Sequence, residues 1–266
     1  MQSTPVSARR WVVAPRHVRT SLNVPGDRSD VVHSAHTHGS DAVWIDLEEP
    51  RTPISEAQRE AMRVEVGAFL RSLDPIPARP LYWVRVQSIA SGGTLRDLEA
   101  VVCPALSAVV LPKVYGPREI HAADALITCV EADRGLPAGS ILVYPILETA
   151  EALRGAYDIA AASPRVGWIG GAVSKFGDIV QAVGFRWSRE GNESLMFRSA
   201  ALLDVRAAGI PYPITGNWGG RLDDLDGVHA WGEQGRDLGY RGSMCAHGPL
   251  VAHFNAAYGD EDEGPS

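Results

Sequence analysis

Short apolar runs alternate with helix-forming stretches along almost the whole chain, and this alternation constrains the fold more than any other feature. The apolar runs fall at 21–24, 42–47, 81–86, 108–111, 141–147, 166–169, 210–214 and 241–245. Helical patterns lie near 28–38, 55–72, 94–102, 117–133, 149–162, 193–208, 223–238 and 248–257. A helix between two strands carries the chain back to its starting end, so successive strands run parallel. The eight units fit within 266 residues, close to the roughly 250 residues of a (β/α)8 barrel. The expectation is a single-domain α/β fold, a (β/α)8 TIM barrel over 19–258. An N-terminal arm at 1–18 precedes it, and an acidic tail at 259–266, expected to be disordered, follows. A doubly wound open sheet is the alternative. The chain has neither Gly-x-Gly-x-x-Gly nor Gly-x-x-x-x-Gly-Lys-Ser/Thr, which weakens its nucleotide-binding version.

Charge and hydropathy exclude several classes. A net charge of −7 offers no basic footprint for nucleic acid. No apolar run approaches the roughly 20 residues needed to span a bilayer. Arg9-Arg10 is followed by only four apolar residues before Pro15, too few for a signal-peptide core. Cys103, Cys129 and Cys245 are odd in number and widely spaced, as expected of reduced thiols in a cytoplasmic protein.

In a barrel of this kind, residues just after each strand converge on one face, where ligands bind. Glu148 closes the fifth apolar run and opens a helix. Asp178 follows the sixth run and a Gly-rich loop that carries Ala172, Ser174 and Lys175. Two carboxylates from successive strand ends suit one hard, oxygen-loving cation. The second run ends in Asp46-Leu47-Glu48-Glu49, where alternation puts Asp46 and Glu48 on one side. The third ends in Arg85, whose planar fork matches a carboxylate. Lys113 follows the fourth, and Pro25-Gly26 follows the first, where backbone N–H groups are expected to meet an anion. Taken singly, such an acid is ordinarily a helix N-terminal carboxylate, and such a base its structural ion pair. Several at successive strand ends point to a site.

Other features are weaker. His33, His36 and His38 share a predicted helix, where a solvated face outweighs a metal site. Ser174 has no Gly-x-Ser-x-Gly elbow and no evident His partner. Trp218, within Gly216-Asn217-Trp218-Gly219-Gly220, suits either a substrate-lining loop or a barrel cap.

From Arg19 to Tyr258 the chain resembles the citrate lyase β-subunit-like branch of the HpcH/HpaI aldolase superfamily. Asp41-Ala-Val-Trp-Ile-Asp-Leu-Glu-Glu49 resembles that family's D-A-V-I-L-D-L-E-D segment. Val84-Arg85-Val86-Gln87 resembles V-R-V-N, Leu111-Pro112-Lys113 resembles L-P-K, and Glu148-Thr149-Ala150 resembles E-T-A. Ala162-Ser163-Pro164-Arg165-Val166 resembles A-S-P-R-V. The order of these motifs makes the resemblance specific.

The resemblance implies a (β/α)8 barrel assembled as trimers or hexamers. It also implies Mg²⁺ held by Glu148 and Asp178, and a substrate carboxylate or acyl oxygen bound by Arg85. Pro25, Gly26, Lys113 and Ala172 complete the expected substrate-binding set. The implied chemistry is a carbon–carbon lyase or aldolase reaction next to a carbonyl, on a 3-hydroxy acid or its CoA thioester. The enolate would be stabilised by Mg²⁺ and Arg85, with Asp46, Glu48, Glu49 or a metal-bound water as candidate bases. Thioester hydrolysis and a non-catalytic barrel that binds a carboxylated ligand are the alternatives. The chain departs from the pattern at Glu49 (Asp in the family), at Gln87 (Asn) and in a longer loop before Asp178. It departs again at Gly242-Ser-Met-Cys-Ala-His-Gly248, where G-K-x-x-I-H-P is usual. Set against the resemblance, no counterpart of the C-terminal lid of longer relatives is expected within these residues.

Overall fold

A computed structural model describes residues 11–50, 52–75, 80–171 and 173–259. Eight parallel strands close into a barrel in sequence order. They are β1 (Thr20–Pro25), β2 (Ala42–Asp46), β3 (Leu81–Arg85), β4 (Leu106–Leu111), β5 (Leu142–Leu147), β6 (Gly170–Gly171), β7 (Ile214–Thr215) and β8 (Gly242–Cys245). The barrel shuts where β1 pairs with β8, with Leu22 opposite Cys245. Around it run α1 (Ser29–Ser34), α2 (Glu56–Arg71), α3 (Thr94–Val101), α4 (Pro117–Asp133), α5 (Ala150–Arg154), α6 (Ala156–Ala161), α7 (Asp178–Val183), α8 (Leu195–Ala207), α9 (Leu225–Leu238) and α10 (Val251–Tyr258).

Strand alternation sorts the core into two layers. Val43, Ile45, Tyr82, Val84, Val109, Leu111, Val143 and Leu147 face the helices. Trp44, Trp83, Ala108, Val110, Tyr144, Ile146 and Met244 fill the barrel, joined by Trp168. Trp83 meets Trp168 at 4.8 Å and Tyr144 edge-on at 5.3 Å, ring to ring. The interior is therefore a packed plug rather than a channel. Residues that continue the inward phase past this plug must open onto the C-terminal mouth.

Local chemistry sets the helix starts. Ser55 caps α2 in a reciprocal box with Gln58. The Thr149 side chain accepts the Ala152 N–H at the start of α5, directly after Glu148. At the opposite end, Arg165 joins α4 to the barrel through Asp124 and Glu131.

The structure departs from the sequence expectations in several places. The expected strand at 166–169 contributes only an isolated bridge, Val143 to Val166, and the regular ladder forms at Gly170–Gly171. The expected strand at 210–214 is reduced to Ile214–Thr215, because Pro211 and Pro213 have no N–H to donate. The expected helix at 149–162 breaks at Gly155, which ends α5 and begins α6. Helix α7, within the loop before α8, was absent from the sequence reading. The expected arm is packed from Trp11 onward: Trp11 Nε1 donates to the Val166 carbonyl at 3.2 Å, and Trp168 Nε1 to the Arg16 carbonyl at 2.9 Å. Residues 1–10 of that arm and residues 260–266 of the acidic tail lie outside the described residues.

Candidate active site

Asp46 and Arg85 are partners in the β2–β3 register, in phase with Trp44 and Trp83. Both side chains therefore point inward at the C-terminal rim. Arg85 Nε donates to Asp46 Oδ1 at 2.9 Å, and a second Arg85 nitrogen, Nη2, donates to Asp46 Oδ2. Nη2 also reaches Glu49 Oε2 at 2.8 Å, and Nη1 lies 3.2 Å from Glu48 Oε2. The guanidinium sits over Trp44, 5.5 Å from the ring centroid. Burial opposes the charge on Arg85, but the three acids outweigh it and hold the pKa above its ordinary value. Asp46 is itself fixed by the N–H groups of Glu48 and Glu49, at 3.0 and 3.2 Å.

Glu148 continues the inward phase of β5. Its Oε1 accepts the Lys113 backbone N–H at 2.6 Å. Among the described residues Lys113 is the non-glycine residue with a left-handed φ, 51°, and its N–H meets Glu148. The Lys113 ammonium pairs with Glu48 Oε1 at 2.9 Å and lies 3.9 Å from Asp178 Oδ2. That hydrogen bond to Glu48 raises the Lys113 pKa. Burial pushes the Glu48 carboxyl up. Burial also pushes the Glu148 carboxyl up to about 7, with Glu48 and Asp178 adding to the shift.

A cavity of about 450 Å³ opens over this rim, lined by Arg85, Glu49, Glu148 and Asp178 among others. The loop before Asp178, expected to be longer than the family's, runs along the mouth, and Ser174, Lys175, Phe176 and Gly177 line the cavity with Asp178 at the first turn of α7. The loop's length therefore does not carry Asp178 away from Glu148. Ala172, in the same loop, lies outside the described residues.

Several expected residues stand elsewhere. Asp46 and Glu48 do not line the cavity: both lie behind Arg85 and are bound to it. Lys113 acts on Glu148 and Glu48 from beside the cavity. Pro25 and Gly26 are off the cavity, and the Gly26 N–H expected to meet an anion donates to the Asp46 carbonyl at 2.9 Å. Asn23, Asn217, Trp218, Met244 and His247 line the cavity; Trp218 has an open reading in the sequence, Met244 and His247 lie in the departing segment 242–248, and Asn23 and Asn217 have no role there. Strand phase was the signal for two of them: Asn23 alternates with outward Leu22 and Val24, and Met244 with outward Cys245.

The histidines have local roles. His33 meets Phe69 edge-on at 4.8 Å, and His36 Nδ1 lies 2.9 Å from the His33 carbonyl. A Cβ on Gly248 would stand 2.3 Å from the His38 ring. His38 thus occupies the space that a proline side chain would need at 248.

Glu148 and Asp178 fit a magnesium ion. A buried carboxyl whose pKa is raised by burial and by nearby acids is relieved by a cation. Glu148 Oε2 has no protein partner among the described residues. Among the described residues no group of three or more His, Cys, Asp or Glu is arranged as a metal cage. Magnesium does not need one, since it commonly takes one or two carboxylates and completes its shell with water and substrate oxygens.

A model of the HpcH/HpaI aldolase/citrate lyase family matches residues 19–248. The chain belongs to this family. A citrate lyase subunit beta-like protein of Deinococcus radiodurans is 31% identical over 252 residues, covering 92% of this chain and 81% of the relative. A (3S)-malyl-CoA thioesterase of Cereibacter sphaeroides is 26% identical over 240 residues, covering 90% of this chain and 76% of the relative. Among solved structures, the citrate lyase beta subunit of M. tuberculosis, complexed with oxaloacetate and magnesium, superposes with a TM-score of 0.67. It is 25% identical, and the match covers 92% of this chain and 98% of that one. In this HpcH/HpaI barrel, Glu148 and Arg85, the residues of the two motifs that carry the resemblance, both line the cavity.

Proposed function

We propose that the protein is a Mg²⁺-dependent carbon–carbon lyase or aldolase. Its substrate is a small 3-hydroxy carboxylate or the corresponding CoA thioester. The observation that carries this reading is the convergence of Glu148, Asp178 and Arg85 on one cavity at the C-terminal mouth. Glu148 and Asp178 would hold the ion, which would supply Lewis-acid stabilisation of a substrate carbonyl oxygen. Arg85, preset by Asp46 and lining the cavity, would stabilise the developing enolate oxygen with its positive charge. Of the three acids around Arg85, Glu49 is the one that lines the cavity, and its side chain is 58% exposed. Glu49 therefore accepts the proton of the substrate's hydroxyl, and Asp46 and Glu48 act through Arg85 and Lys113.

The thioesterase relative favours a second reading, hydrolysis of a thioester at the same site. Assembly into a homotrimer or hexamer belongs to the proposal. Met196 and Leu203 are 76% and 70% exposed on one face of α8, as an unpartnered contact surface would be. Incubation with a panel of 3-hydroxy acids and their CoA esters, with and without EDTA, tests the function. Release of a 2-oxo acid or aldehyde, abolished by EDTA, is expected. Free thiol without a carbonyl product would support hydrolysis, and turnover in EDTA would refute the metal-dependent reading.

A further inference from the structure

The cations facing the cavity are unequal. Arg85 is bound by Asp46, Glu48 and Glu49, so most of its N–H groups already have acceptors. Lys113 is paired with Glu48 and stands beside the cavity. Lys175 lines the cavity from the loop between β6 and α7 and makes no ion pair among the described residues. Its ammonium instead lies 5.2 Å from the Phe176 ring centroid and 5.5 Å from that of Trp187.

Lys175 is exposed, but its stem has a defined seat. A Cβ on Gly219 would stand 2.6 Å from the Lys175 Cβ and 2.9 Å from the Trp187 ring, so the glycine admits the lysine stem. Trp187 packs edge-on against Trp218, at 5.3 Å, and Trp218 lines the same cavity. Aromatic faces position an ammonium while leaving its three donors for another acceptor. Three carboxylates on the wall, Glu49, Glu148 and Asp178, would repel a substrate bearing two negative charges. Such a substrate needs a cation at each end, and Glu148 and Asp178 provide for one end only.

We propose that Lys175 binds an anionic group at the outer end of the substrate, either a second carboxylate or a phosphate of a thioester carrier. Lys175 is then a specificity-determining residue, contributed by the loop between β6 and α7. The inference rests on the proposed magnesium-carboxylate site.

The test compares three probes in magnesium-containing buffer: 2-oxobutanoate, oxaloacetate and coenzyme A. Binding is read by rapid-mixing tryptophan fluorescence, in the unaltered protein and in Lys175→Met and Lys175→Arg. Lys175→Met is expected to weaken oxaloacetate or coenzyme A about tenfold, the worth of one charge-assisted contact. It should leave 2-oxobutanoate within about twofold, and Lys175→Arg should restore most of the loss. Weakening of oxaloacetate alone assigns a substrate carboxylate, and weakening of coenzyme A alone assigns a carrier phosphate. Unchanged affinity for both anions, or equal weakening of all three probes, overturns the proposal. If the unaltered protein shows no magnesium-dependent binding of 2-oxobutanoate, the reading of the site itself fails, and this inference with it.

Discussion

Asp46 grips Arg85 along one edge of the guanidinium, Nε to Oδ1 at 2.9 Å and Nη2 to Oδ2, and both side chains are buried. The pair follows from adjacent strands in register, so it is part of the barrel as much as of the site. Asp46→Ala leaves a buried cation short of its closest partner. A loss of about 3–5 kcal/mol in urea-unfolding stability is expected. A loss under about 1 kcal/mol would mean that Glu48 and Glu49 hold Arg85 without it.

Arg85→Lys keeps the charge and loses the fork. A single ammonium cannot hold Asp46 at two points and still present a donor to the cavity. A fall in kcat/KM of about tenfold or more is expected in the cleavage assay. An unchanged kcat/KM would remove Arg85 from the substrate site.

Glu148 ties metal affinity to pH. With its carboxyl pushed up to about 7, it is protonated below that value in the metal-free protein. Magnesium affinity should therefore fall about tenfold per unit as pH drops below about 7, and level off above it. The stability effect has the opposite slope. A carboxyl whose folded pKa exceeds its unfolded value binds more protons when folded. The metal-free protein therefore loses stability as pH rises from about 4.5 to about 7, by on the order of 2–3 kcal/mol. Calorimetric titration with Mg²⁺ and unfolding across this window check both slopes. Glu148→Gln should remove both, whereas Ala at His33, His36 or His38 should leave magnesium affinity unchanged.

Glu49 and Glu48 differ by one position and should fail differently. Glu49→Gln, at an exposed cavity side chain, is expected to lower kcat by about 10²–10⁴ with unfolding stability intact. Glu48→Gln removes a buried partner shared by Arg85 and Lys113, so stability should fall as well. The reverse pattern, with Glu48→Gln losing activity at full stability, would move the proton acceptor to Glu48.

Much of the barrel could be read from the sequence because period-two alternation is a local signal. Trp44 and Asp46 share a phase, as do Trp83 and Arg85, so one pattern identifies both the plug and the residues above it. Reading failed where backbone chemistry interrupts that signal. Pro211 and Pro213 shortened β7, and the ladder of β6 formed on two glycines whose sequence carries no hydropathy pattern.

The sequence alone determined the (β/α)8 class, the order of the strand-end motifs and the acids and bases placed at the mouth. These depend on neighbours within a few residues, where periodicity and motif spacing carry the information. Only the tertiary structure decided which of those residues face the cavity. It turned Asp46, Glu48 and Lys113 into supports behind Arg85 and Glu148, and committed the Gly26 N–H to the Asp46 carbonyl. It brought Asp178 and Lys175 over the mouth on a loop with no periodicity of its own. Direction at a strand end is set by contacts across the barrel, between residues tens of positions apart, and no local pattern encodes those contacts.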